Sequence, residues 1–321
     1  MSRQLEQEIR ARWQACGMLE GGLGRWEAMV SQYAMLAGTA NPPRPQAGLY
    51  LFLGEHGIAE EGVTDREFGY AAKVKADIVA GASPVAALAA HNRVTIEIQD
   101  CSPQQPCTNF LKRCSLLSTE LDAHLELGAK EARQAAAKYT VVGVGSAGAG
   151  SSTAAAAMTS ALLELNAVDV TGKEAGQSVE GFLRKLRVVE RGLTRHQAAR
   201  RNGRLSLEAF GGHEMARMCG FLLGAADCQL PVVLDGFVTA AAALAAIRQK
   251  PALRNYLFYS HRSPEPGHRY LLDAMAVDPV FDLEICHGQG IGALLALGLL
   301  DAGWLMYSQG QLPTNQKRGL Q

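Results

Sequence analysis

An α/β fold, a parallel sheet flanked by helices, is what this sequence of 321 residues predicts, and two observations carry the prediction. Short β-rich runs recur, each closed by a turn-prone or polar cluster and followed by a helical pattern, as in successive βαβ units. Hydrophobic residues make up 48% of the chain but aromatic ones only 6%, with Ala and Gly supplying much of the excess. That composition suits helices packed closely on a sheet better than a β-sandwich.

The elements follow in order. Residues 2–16 place Leu5, Ile9 and Trp13 four apart on one helical face, and the last thirty residues are again helical and apolar. The two termini are therefore expected to pack together as a small helical domain, 1–30 with 280–321, beside a sheet domain over 31–279. Asn41-Pro42-Pro43-Arg44-Pro45 reads as a stiff linker. The first strand, 49–53, ends at Glu55-His56-Gly57; the second, 94–98, at Asp100; the third, 139–144, at Ser146-Ala147-Gly148. Three more are read at 167–170 before Thr171-Gly172-Lys173, at 232–234 before Asp235-Gly236, and at 256–259 before Ser260-His261-Arg262. Ligands of a parallel sheet bind beyond the carboxyl ends of its strands, which is where these clusters would gather. Met215, Met218, Cys219 and Phe221 read as core, and 239–247 as a closely packed Ala-rich helix.

Several function classes are excluded at this level. Thirty-one basic residues balance thirty-one acidic ones, so no long-range field gathers nucleic acid or an anionic membrane, and any anion must be held locally. The chain is charged from its first residues, and its longest apolar stretches, 237–247 and 291–300, fall short of the ~20 residues that span a bilayer. A cytoplasmic location without a secretion signal is expected. Seven cysteines, odd in number and scattered, suit reduced thiols. Cys101, Cys107 and Cys114 lie close together but lack zinc-site spacing, and no metal or other cofactor is expected.

The strongest local motif is Gly143-Val144-Gly145-Ser146-Ala147-Gly148-Ala149-Gly150-Ser151-Ser152-Thr153, which follows a strand and opens a helix. Amides at such a helix start favour an anion, and a tight structural turn has the same composition. On the first reading, Gly145, Ser146, Gly148, Ser151, Ser152 and Thr153 hold a phosphate. Asp169, about twenty residues on, completes a dinucleotide fingerprint. At least two strands precede the motif, however, so an NAD-binding oxidoreductase is the weaker alternative. A second polar loop, Thr171-Gly172-Lys173-Glu174-Ala175-Gly176-Gln177-Ser178, has Arg184, Lys185 and Arg187 close behind; Gly172 and Lys185 join the phosphate candidates. Glu55-His56 offers a carboxylate and an imidazole, able either to move protons or to brace a loop. In His287-Gly288-Gln289-Gly290-Ile291-Gly292 the glutamine can donate and accept hydrogen bonds but cannot take up a proton.

With these residues in place the sequence resembles the nicotinate-nucleotide:dimethylbenzimidazole phosphoribosyltransferase family, which makes the α-riboside phosphate of the cobamide lower ligand. The resemblance runs from Leu23-Gly24-Arg25-Trp26-Glu27 to about Tyr307, through Glu55-His56-Gly57-Ile58, Glu61-Gly62-Val63, Gly143-Val144-Gly145 and Gly211-Gly212-His213-Glu214-Met215. Leu230-Pro231-Val232-Val233-Leu234-Asp235-Gly236-Phe237 is its most specific segment, followed by Ser260-His261. The resemblance implies a Rossmann-like sheet, a small domain from both termini and a dimer. It implies that nicotinate mononucleotide lies in the Gly-rich loops, with a base pocket involving Glu55, His56, Met218 and Ser260. The base attacks the anomeric carbon, nicotinate leaves with inversion, and a glutamate in Gly-Glu-Gly-Ser-Gly accepts the proton, so positioning and one proton acceptor carry much of the catalysis.

The chain departs from the family pattern where that chemistry is performed. Gln289 stands at the catalytic glutamate, and Ser146 at a second family glutamate. Ser151-Ser152-Thr153 replaces Asn-Thr-Thr, Arg66-Glu67 a Ser-Pro pair at the base pocket, and Leu19-Glu20-Gly21-Gly22 a Pro-Pro-Gly-Ser. Loss of one general base commonly costs ~10²–10⁴-fold. Two readings follow. In one, the chain is the impaired subunit of a heterodimer with an active paralogue, of the kind that activates phenolic or other unusual bases. In the other, it is an active transferase, as a homodimer, with Glu55, His287 or a water as substituted base. Several departures together favour the first.

Overall fold

The computed structural model describes residues 3–102, 105–173 and 177–309. Residues 174–176 of the second polar loop lie outside it, as do 1–2 and 310–321 at the ends of the expected helical domain. Helices α1 (Arg3–Ala15) and α2 (Arg25–Leu36) precede β1 (Ala47–Leu53); α3 (Tyr70–Val79) and α4 (Pro84–His91) lead to β2 (Thr95–Asp100), and α5 (Ser118–Ala136) to β3 (Val141–Ala147). Then come α6 (Ser151–Leu163), the single turn α7 (Ala167–Val170), α8 (Val179–Arg195), α9 (Gly203–Phe210) and α10 (His213–Asp227). The order closes with β4 (Val232–Leu234), α11 (Phe237–Gln249), β5 (Leu257–Tyr259), α12 (Pro266–Met275) and α13 (Ile291–Ser308).

The strands form one parallel sheet in the order β2-β1-β3-β4-β5, with helices on both faces. Alternation sorts the side chains, because successive residues of a strand point to opposite faces. Tyr50, Phe52, Val142, Val144, Val232, Leu234 and Tyr259 join one cluster with residues of α5, α6, α9, α10 and α11. Leu49, Val141, Val233 and Phe258 face the other way, against Ile9, Trp13, Val30, Leu294 and Leu297. The helices of both termini thus lie together on that second face and share its apolar cluster with the sheet; residue 30 itself falls within α2. Gly143 is what brings α13 in so closely: a Cβ there would sit 3.1 Å from that of Ala293.

By length and composition α13 could cross a membrane, since the helix runs on past Leu300 to Ser308. Its buried residues, among them Ala293, Leu297 and Tyr307, pack instead in the cluster on the sheet, as those of a core helix do.

One predicted strand is a helix. Ala167–Val170 forms α7, where the Thr171 hydroxyl donates to the Ala167 carbonyl at 2.7 Å. Its apolar residues Ala167 and Val170 are buried within the helical layer beside α6 and α12, and among the described residues no strand pairs with it. A short apolar run looks alike in a buried strand and in one buried helical turn. The third predicted strand, in contrast, runs further than expected. β3 pairs with β4 only as far as Val144↔Leu234 but continues beside β1 to Leu53↔Ala147. The free edge of 145–147 is left open to another segment of chain.

Candidate active site

A cavity of about 330 Å³ opens beyond the carboxyl ends of β1, β3, β4 and β5. One wall is the turn from β3 into α6, with Ser146, Gly148, Ser151 and Ser152; a second is the start of α11, with Asp235, Gly236 and Phe237. His261, Ser263 and Glu265 after β5, and His287, Gly288 and Gln289 before α13, complete the floor and rim. Arg66 and Lys173 bring cationic side chains to it.

The predicted phosphate set is partly assembled here. Ser146, Gly148, Ser151 and Ser152 line the cavity. The Ser146 hydroxyl is buried and has no hydrogen-bond partner among the described residues, so its donor and acceptor capacity is open to a ligand. Thr153 is fully buried behind this wall, its hydroxyl also unpartnered among the described residues. Gly145 faces the chain rather than the cavity: a Cβ would lie 2.6 Å from the amide nitrogen of Gly290. At Gly148 a Cβ would strike the Gly54 carbonyl, and at Gly172 the Glu265 carboxylate. The glycines thus serve chiefly to let loops approach one another. Lys185 reaches from α8, fully buried, and its Nζ donates to Ser152 Oγ at 3.1 Å and to the Gly172 carbonyl at 3.0 Å, tying the two polar loops together behind the cavity.

The four residues expected around the base lie outside the cavity lining. Glu55 is buried, with one carboxylate oxygen accepting from the Ala71 amide at 2.7 Å and the other from the Ala149 amide at 3.1 Å; it braces the start of α3 against the Gly-rich turn. His56 Nε2 lies 2.6 Å from Glu214 Oε1, both side chains buried. Burial alone would lower the His56 value, but the Glu214 carboxylate outweighs it and holds the imidazole well above its ordinary range. Burial would raise Glu214, and His56 in turn outweighs it and pulls the carboxyl down. The pair is an internal ion pair. Met218 is in the core. Ser260 stands one layer behind, its hydroxyl donating to the Asp235 carbonyl at 2.6 Å and lying 3.1 Å from His261 Nδ1.

Asp235 is an organising residue that motif reading does not single out. Its carboxylate accepts from the Gly290 amide at 3.0 Å and the Gly292 amide at 2.8 Å, capping the start of α13, where the helix dipole favours negative charge. Burial nevertheless holds its carboxyl above the ordinary value, opposed by His261 and by those amides. The signal in the sequence is an acid at a strand end. His261 and Lys173, legible only as members of motifs, and Glu265, which belongs to none, also line the cavity.

Gln289 closes the open edge of β3. Its amide donates to the Ser146 carbonyl at 3.1 Å, its φ is 64°, and Gly290 follows at 83°. The side chain is buried and its Nε2 donates to the Tyr70 hydroxyl at 3.1 Å. No carboxylate stands at 146 or 289, so the proton acceptor implied by the resemblance is absent at both positions.

The dinucleotide reading is overturned by placement. Asp169 sits in the helical turn α7, its carboxylate accepting from Asn166 Nδ2 at 3.3 Å, and not at the tip of a strand next to the Gly-rich turn, where a ribose would meet it.

A family profile described as phosphoribosyltransferase matches residues 1–312. The chain is 31% identical over 321 residues to a nicotinate-nucleotide–dimethylbenzimidazole phosphoribosyltransferase of Chlorobium chlorochromatii, spanning 95% of this chain and 91% of that protein. It is 33% identical over 308 residues to a protein of the same name from Azotobacter vinelandii, spanning 90% and 87%. The crystal structure of CobT from Thermus thermophilus superposes with a TM-score of 0.88 at 29% identity, over 95% of this chain and 96% of that one.

Proposed function

The chain belongs to the nicotinate-nucleotide–dimethylbenzimidazole phosphoribosyltransferase family, and from that premise we propose that its cavity takes nicotinate mononucleotide and an aromatic base while the chain itself is the supporting, catalytically impaired subunit of a pair. The observation that carries this reading is spatial. Ser146, Arg66 and Gln289, three departures from the family pattern far apart in sequence, meet in one cavity. The cavity nevertheless has groups that suit an anionic nucleotide: the Ser146, Ser151 and Ser152 hydroxyls, the start of α6 and the Lys173 ammonium.

In the transfer, the ring nitrogen of the base that carries a free lone pair bonds to the anomeric carbon as the bond to nicotinate breaks, and the proton on the other ring nitrogen must leave. Positioning of the two reactants is within the capacity of this cavity. Acceptance of the proton at 289 is not, because a carboxamide has no basic site near neutral pH. The second reading, an active enzyme with a substituted base, retains one observation: His287 lines the same cavity two residues before Gln289. Glu55 does not serve it, since both its oxygens are engaged by backbone amides away from the lining.

The purified chain is expected to show little transfer from nicotinate mononucleotide to dimethylbenzimidazole, adenine or p-cresol, and to raise the rate of a paralogue carrying an intact Gly-Glu-Gly-Ser-Gly when the two are combined. Robust turnover by the chain alone sinks the supporting-subunit reading, and its loss in His287→Ala would then transfer the role to that imidazole.

A further inference from the structure

Residue 289 is held by more than its own backbone. The segment before α13 is fixed at both ends, by the Gln289 amide on the Ser146 carbonyl at 3.1 Å and by the Gly290 amide on Asp235 Oδ2 at 3.0 Å. From that fixed point the Gln289 side chain reaches α3 and donates from Nε2 to the hydroxyl of Tyr70, the first residue of that helix. The Tyr70 ring is covered in turn by Arg66, whose Cζ lies 4.3 Å from the ring centroid. A guanidinium over an aromatic face at that distance is attracted to it and restricts the ring.

We infer that Tyr70, steadied by Arg66, is a positioning residue for the side chain at 289, and that the three residues form a single unit suited to an amide and unsuited to a carboxylate. The inference rests on the phosphoribosyltransferase reading of the cavity and deepens it. With one Nε2 hydrogen committed to Tyr70, the carbonyl oxygen is the one acceptor that the Gln289 carboxamide offers a ligand, and a carbonyl accepts a hydrogen bond without taking the proton. The unit therefore recognises an aromatic base that presents an N–H donor and holds it in its neutral form. A carboxylate at the same place would receive the Tyr70 hydroxyl as a donor and would face the Arg66 charge beyond the ring. Both favour the ionised carboxyl and lower its proton affinity, which is the wrong direction for a general base. Gln289 and Arg66 are thus physically coupled substitutions, and reversing one leaves the other acting against it.

The test uses the full chain with Gln289→Glu, Gln289→Glu/Tyr70→Phe and Gln289→Glu/Tyr70→Phe/Arg66→Ser. Binding of nicotinate mononucleotide is followed by calorimetry, and transfer to dimethylbenzimidazole is followed as a function of pH. Gln289→Glu alone is expected to gain no more than about threefold, and the triple variant at least about tenfold over it, with the acidic limb of its pH profile displaced upward by about one unit. A purely packing role for Tyr70 does not move that limb. Nucleotide binding without any gain of the triple variant over Gln289→Glu overturns the inference and leaves the reading of the cavity standing. Absence of nucleotide binding in the unaltered chain removes both. A second measurement keeps glutamine in place: Tyr70→Phe is expected to weaken benzimidazole binding to the nucleotide-loaded chain about fivefold, the worth of one misdirected hydrogen bond. Unchanged affinity there also overturns the inference.

Discussion

Three buried acids, Asp235 in the cavity lining and Glu55 and Glu214 outside it, are each bonded to partners within the protein; at 146 and 289, in the same lining, no acid is present. Glu55 spans two backbone amides, Asp235 caps α13, and Glu214 pairs with His56. Ser146, by contrast, has a buried hydroxyl with no partner among the described residues, and Gln289 spends its amide nitrogen on a tyrosine. The difference separates residues that hold the loops together from residues whose polar groups are available to a ligand. The loop framework depends on acids bonded to protein groups, through both oxygens in Glu55 and Asp235 and through Oε1 in Glu214. The proton chemistry needs an acceptor in the cavity, and at 146 and 289 the lining presents a hydroxyl and a carboxamide.

The largest expected effect lies in the loop framework. His56→Ala leaves the Glu214 charge buried and unpaired and is expected to cost about 3–5 kcal/mol of stability, read from the denaturant midpoint. The pH dependence follows from the two shifts. The lowered Glu214 value gives stability that is full above the ordinary carboxyl value of 4.5 and is lost as pH falls through the lowered one. The raised His56 value gives stability that is full below the ordinary imidazole value of 6.5 and is lost as pH rises through the raised one. The contribution of the pair is therefore greatest between those two ordinary values, and the maximum should flatten in His56→Ala. A variant that melts like the unaltered chain would mean that the pair is not a framework element.

Asp235→Asn comes next, at about 2 kcal/mol, because one of the two carboxylate oxygens that receive backbone amides becomes an NH₂ group facing a donor. Thermal melting with the nucleotide absent separates this loss from any effect on binding. A loss confined to the nucleotide-bound state would move Asp235 from the framework to the ligand side.

Much of this division was readable in the sequence, but not all of it. Val232–Leu234, apolar and followed by Asp235-Gly236, could be read as a strand because composition and punctuation agree. Ala167–Val170 could not be told from a strand, since so short a run carries no decisive period. Ser146, Ser151 and Ser152 read together in the sequence because one turn presents them together. Glu55 and His56 are residue types capable of chemistry, yet sequence does not say whether an acid at a strand end points to ligand or to backbone, and here both residues point inward. The contact between Tyr70 and Gln289 joins positions 219 residues apart, which only the folded sheet brings together.

The smallest expected effect on stability is at Ser146. Ser146→Ala removes a hydroxyl that makes no hydrogen bond among the described residues, so no partner is orphaned and a buried polar group is lost. Stability should change by no more than about 0.5 kcal/mol, and an increase is as acceptable as a decrease. Affinity for nicotinate mononucleotide should nevertheless fall, by about two- to tenfold for a single hydrogen bond to a ligand. Calorimetry and thermal melting on the same variant therefore give opposite signatures to those of Asp235→Asn, although the two residues line one cavity. A Ser146→Ala chain that melts as early as Asp235→Asn would place the Ser146 hydroxyl in the framework, and the separation of loop structure from ligand chemistry would fail at the position where β3 and Gln289 meet.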